Sequence, residues 1–159
     1  MKITAPNLIR WAGVAAMGAG ILFIAIQAIH PLDVPSSVTT AEWAFAHYLS
    51  MAMDFLGLLG VTGIYARQVE RSGWLGLAGY LLFSLFWALA LAFHFAEALI
   101  SPVLATEAPR FVEGFLGIIT GAPTAINLGA LPAIYGLNGF VGYLLGGLLF
   151  GIAAFRAGI

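Results

Sequence analysis

The sequence predicts an all-α integral membrane protein with four transmembrane helices and a Pro/Gly-broken outer or re-entrant segment, and three observations carry that prediction. Sixty-two per cent of the 159 residues are hydrophobic and only 8 % are charged. Mean hydropathy is +1.01. Apolar runs of about 20 residues recur, the length that crosses a hydrocarbon layer of about 30 Å. The formal charge of −1 argues against a nucleic-acid partner, which calls for a basic face to meet phosphates. The absence of cysteine removes disulfides, thiolate metal sites, iron–sulfur clusters and Cys nucleophiles. The chain length suits one bundle across residues 1–159 and no separate soluble domain.

The first span is expected at about 9–29, retained rather than cleaved, with Trp11 as an interfacial anchor. Gly13, Ala16, Gly18 and Gly20 give it a slim face that neighbouring helices can approach. Gln27 and His30 sit at its far end. Pro31 and Pro35 break the helix, and Thr39 to Glu42 fits a capping box. The second span covers about 42–66 and reads EWAFAHYLSMAMDFLGLLGVTGIYA. A polar turn with Arg67, Gln68, Glu70 and Arg71 joins it to a third span, about 73–100, which Ser101 and Pro102 are expected to stop.

Residues 102–134 carry Glu107, Arg110, Glu113 and the breakers Pro109, Pro123 and Pro132, so they read as an outer-face or re-entrant segment before a last span at about 135–155. That arrangement gathers Lys2, Arg10, Arg67, Arg71 and Arg156, five of the six basic residues, on one side with the N-terminus, the cytoplasmic side by the positive-inside rule. The alternative makes about Phe111 to Ala130 a fifth span and puts Arg156 outside.

Gly142 and Gly146, and again Gly147 and Gly151, lie four apart on the last span, a spacing that lets backbones approach closely. Their partner is either this bundle or another subunit.

The functional signal is ionisable residues at membrane depth, which are costly there and therefore mark sites. His47 lies 20 residues from Arg67, about 30 Å along the axis, and His94 lies 21 residues from Gly73, about 31 Å, so the two histidines are predicted at matching depth on adjacent helices. His47 and Asp54 share one helix face, as do His94 and Glu97, and His30 arrives at the same level. Glu113 can join them from the outer segment. Asp54 sits deeper, about 20 Å from the end of its helix, and needs a partner among Ser50, Thr62, Gln27, Asn127 or a histidine.

This cluster of His30, His47, Asp54, His94 and Glu97 admits several chemistries. A haem held by His47 and His94, with aromatic rings around it, suits electron transfer. Imidazole plus carboxylate also suits a zinc or iron site. A midplane acid with Pro-broken segments suits a small-molecule or proton-coupled transporter using Asp54. The reading placed first is an accessory or structural subunit of a larger membrane complex, meeting other membrane subunits or its own copies through glycine and aromatic faces. No Ser-His-Asp arrangement can be inferred from spacing, so no catalytic residue is assigned.

The His-Tyr-Leu near the start of the second span, the helix ending GIYAR and the terminal GGLLFGIAAFRAG resemble a loosely defined group of small bacterial multi-pass membrane proteins of unknown function. The resemblance implies residence in a bacterial cytoplasmic membrane with Arg156 inside. In that group the Arg-Ala-Gly ending runs on into a cytoplasmic turn and further helices, so the 159 residues are expected to be an incomplete chain.

Overall fold

A computed structural model describes residues 2–158; Ile159, where the expected longer chain would continue, lies outside the described residues. Among the described residues every regular element is helical. Three helical runs are long and apolar enough to cross a membrane: Ala5–Ile29, Ala41–Glu107 and Leu131–Ala157.

The 67-residue middle run is two helices folded back on each other. Gly73 breaks it with φ 55° and ψ −156°, a backbone region that side chains exclude. Tyr65 then stacks on Tyr80 with ring centroids 4.4 Å apart, and the Trp87 indole fills the space a side chain at Gly57 would take. We label the helices α1 (Ala5–Ile29), α2 (residues 41–72), α3 (residues 74–107), α4 (Pro109–Thr120) and α5 (Leu131–Ala157). A Gly73→Ala variant is expected to lose on the order of 1–3 kcal/mol of stability, read as a lowered unfolding midpoint.

Small residues set the neighbours, because close backbone approach is what gains dispersion energy between apolar helices. Gly60 meets the backbone of Ala16, Gly63 meets Ala12, and Ala19, Ile26 and Met53 bury one another, so α1 lies antiparallel to α2. Gly79 meets Phe150 and Gly146 meets Phe83 and Leu82, so α5 lies antiparallel to α3. Between α1 and α5 no pair of Cα atoms comes within 8 Å. The four long helices therefore form an open arc, α1–α2–α3–α5, and not a closed ring.

Several boundaries differ from the sequence reading. Thr40, not Thr39, caps α2: its Oγ1 accepts from Trp43 N–H at 3.2 Å. That puts Trp43 where a capping box needs its carboxylate, so Glu42 acts only as an acidic residue in the first turn. The third helix does not stop at Pro102. It widens into a π-helical turn over Ala96–Ile100, in which Ser101 N–H reaches back to Ala96 O, and resumes to Glu107. The widened turn accommodates a proline that lacks an N–H and would crowd the carbonyl four residues back. Pro132 likewise falls in the first turn of α5, which starts at Leu131.

The patchy segment contains α4, whose 12 residues span about 18 Å and end at Gly121 in the left-handed region. Residues 121–130 are irregular, so the helix that a fifth span over Phe111–Ala130 requires does not form. Instead α4 buries Val112 and Leu116 against Val38 and Trp43 and caps the end of the arc opposite Gly73.

Candidate functional site

The polar residues picked out by depth meet at that capped end. Asp54 from α2 and His94 from α3 touch, Oδ2 to Nδ1 at 2.6 Å. Three residues further along α3, Glu97 faces His47, Oε2 to Nε2 at 3.3 Å. The His47 and His94 rings are 6.1 Å apart, so they lie at one level of the two helices, and the His30 ring packs edge-on to His47 at 4.9 Å. Asp54 is thus not an isolated deep acid: of the partners considered, the histidine takes it. Glu113 points away, exposed on α4, and does not join.

The local geometry follows from Pro102. In the widened turn, Ser101 N–H serves Ala96, and the next donor along the chain is missing because residue 102 is proline. The Glu97 carbonyl is left without a backbone donor, and the Trp43 indole N–H supplies one at 2.8 Å. Trp43 in turn lends its own carbonyl to His47 Nδ1 at 2.8 Å. In the sequence, the proline five residues after Glu97 is the signal for the Trp43 bond.

That last bond fixes a tautomer. A carbonyl can only accept, so His47 Nδ1 carries hydrogen and Nε2 is left facing Glu97. A hydrogen also lies between His94 Nδ1 and Asp54 Oδ2. Trp43, His47, Asp54 and Glu97 are all at least 97 % buried, whereas the His94 side chain is 26 % exposed and is the member of the cluster open to its surroundings.

With Nδ1 bonded to Trp43 O and Nε2 3.3 Å from Glu97, both His47 nitrogens already face groups of the protein. A haem between His47 and His94 would have to displace one of these contacts. Among the described residues no three of the histidines and carboxylates converge as metal ligands do.

Beside the cluster lies a cavity of about 720 Å³. His30, Asp33, Asp54, His94 and Glu97 line its polar end; Phe23, Phe83, Phe86, Trp87 and Phe150 line the rest. From His30 to Ala16 on α1, and from Glu97 to Phe83 on α3, the lining runs 14 residues, about 21 Å, so the cavity is long and narrow. Its open side is the gap between α1 and α5. Gly20 and Gly139 line it from those two helices, both exposed and with nothing within 4 Å of where a Cβ would stand.

Three residues that line the cavity carry buried polar atoms with no partner among the described residues: Asp54 Oδ1, Asn138 Oδ1 and Trp87 Nε1. Such groups cost free energy unless something bonds to them. Asp33, in the loop after α1, also faces this space, and burial pushes its carboxyl above the ordinary 3.8, a rise that Glu97 adds to and His30 and His47 oppose. A carboxyl raised in the folded state favours folding when protonated and opposes it when charged. Asp33→Asn is therefore expected to raise the unfolding midpoint at neutral pH, with the gap to the parent closing as pH falls through the raised value toward 3.8.

The glycine pairs of the last helix part company. Gly142 and Gly146 pack inside against Phe86 and Phe83; Gly151 faces open space, and with Gly147, Leu148, Ile152 and Phe155 it lines a shallow outer groove.

Comparison of the sequence with protein-family models and with curated proteins, and of the fold with solved structures, gives no match. The chemistry must come from the side chains themselves.

Proposed function

We propose that this is a four-span protein of a bacterial cytoplasmic membrane that takes a small, largely apolar molecule sideways from the bilayer and exchanges a proton with it at Asp54 and His94, as a proton-coupled carrier. The observation that carries this reading is the cavity between α1 and α5, open along one side, with a buried carboxylate–histidine pair at one end. Small-molecule sites in helical bundles are concave, mostly apolar and fitted with a few convergent polar groups. Acids and histidines facing such a cavity within a membrane are the usual components of proton relays.

The orientation follows from charge. Arg67 and Arg71 precede Gly73, Arg10 lies beside the residues that pack on Gly63, and Arg156 follows the Ala153 that approaches Gly76. With Lys2, these basic residues gather at the Gly73 end, which is then the cytoplasmic end, and the polar cluster lies toward the outer leaflet.

The test is binding of a neutral amphiphile, dodecanol, to protein held in lipid nanodiscs. The parent is expected to show a saturable rise in unfolding midpoint as ligand is added, since a ligand that binds only the folded state stabilises it. Gly20→Phe, which fills the cavity mouth, is expected to show none. No saturable rise in the parent, or an equal rise in the variant, contradicts the reading.

The open groove at Gly147 and Gly151 favours a second reading, association with another membrane subunit or a second copy as an accessory component. Under it, Gly151→Leu disrupts a complex recovered in mild detergent; a lone monomer before the substitution counts against it.

A further inference from the structure

We propose that the occupant of the cavity is a lipophilic amine in its ammonium form, seated with its N–H groups on Asp54 and its chain along the aromatic wall. This rests on the reading of the cavity as a binding site and adds the class of ligand. Charge selects it first. Three carboxyl side chains line the cavity, Asp33, Asp54 and Glu97, and no lysine or arginine does. His94 and His47 each face a carboxyl, Asp54 and Glu97, Asp33 adds a third, and Asp54 keeps its second oxygen, Oδ1, free of any partner, while His30 turns its Nδ1 to Pro31 O at 2.7 Å. A carboxylate or phosphate head group would thus enter beside three carboxyl side chains and meet no lysine or arginine, in a medium where Coulomb terms are large.

Hydrogen bonding selects it second. Asp54 Oδ1 and Asn138 Oδ1 are acceptors with no donor in the protein, on residues 0 % and 7 % exposed. An ammonium brings several N–H donors, whereas a hydroxyl brings one. A charge-assisted bond is also about twice as strong as a neutral one. The walls agree: Phe86 and Trp87 line the same cavity, and an ammonium near such rings gains attraction from their faces. An alkyl or aryl body occupies the apolar length below the polar end and reaches it through the gap at Gly20 and Gly139, without leaving hydrocarbon.

The experiment compares three ligands with one chain and three heads, dodecylammonium, dodecanol and dodecanoate, by unfolding midpoint of the whole chain in zwitterionic nanodiscs near neutral pH. Dodecylammonium is expected to bind about tenfold more tightly than dodecanol, and dodecanoate least tightly. Asp54→Asn should bring dodecylammonium down to the level of dodecanol. Should that variant fail to fold, dodecyltrimethylammonium, which keeps the charge and lacks N–H, should bind the parent more weakly than dodecylammonium. If dodecanol binds and the ammonium has no advantage, or the advantage survives Asp54→Asn, the ligand class is wrong while the cavity reading stands. If none of the three binds, both fall.

Discussion

His94→Ala destabilises the bundle by about 3–5 kcal/mol, while the Asp54→Leu/His94→Ala double variant loses less than His94→Ala alone. The reason is an asymmetry in burial: the Asp54 side chain is 0 % exposed and His94 is 26 % exposed. Removing His94 leaves a fully buried carboxyl with neither oxygen bonded, since Oδ1 already has no partner. Breaking a buried pair from one side costs that much because it strands the other charge, whereas replacing both members by apolar groups removes the stranded group as well. Asp54→Leu should accordingly be the milder single substitution, because His94 keeps access to the cavity. Reversible unfolding of the four proteins in one detergent checks the order. Equal losses for both singles, with a double that merely adds them, would mean that the 2.6 Å contact carries no coupling.

Two glycines that look alike in the sequence are expected to behave in opposite ways. A Cβ at Gly60 would stand 2.8 Å from the Ala16 Cα and 3.0 Å from its backbone nitrogen. Gly60→Leu must therefore push α1 off α2, and overpacking of this kind costs about 1–3 kcal/mol or more. Gly20 lies on the open side with nothing within 4 Å, so Gly20→Phe meets no backbone and changes the unfolding midpoint little. What it removes is the entrance to the cavity. Loss of ligand response in Gly20→Phe with stability kept, against loss of stability in Gly60→Leu, separates a binding cavity from loose packing.

Much of the helical architecture was legible because apolar length marks the long helices and most breakers mark their ends. The matching depth of His47 and His94 came from counting residues from one turn, and it holds because both helices start at the Gly73 fold. Counting failed where the helix is not α. The widened turn at Ala96–Ile100 carries the helix through Pro102 and frees the Glu97 carbonyl for Trp43, and a straight α-helical wheel shows neither. The pairing of Asp54 with His94 was hidden for another reason. Position along a helix gives a level but not the side a residue presents, and the facing sides are set by the close approach of Trp87 to Gly57. The cavity was invisible because it is made by an absence of contact between α1 and α5, which no pattern in either helix records. Asp33 and Asn138 belonged to a loop and a helix start until the fold turned both toward that space.

The central claim, that the gap between α1 and α5 is a binding site with Asp54 at its polar end, is tested most directly by native mass spectrometry of the protein released straight from its own membrane. The predicted spectrum shows one small amphiphile on each parent chain, absent from Gly20→Phe and depleted in Asp54→Asn. A parent chain that emerges bare, or an adduct that survives Gly20→Phe unchanged, contradicts it.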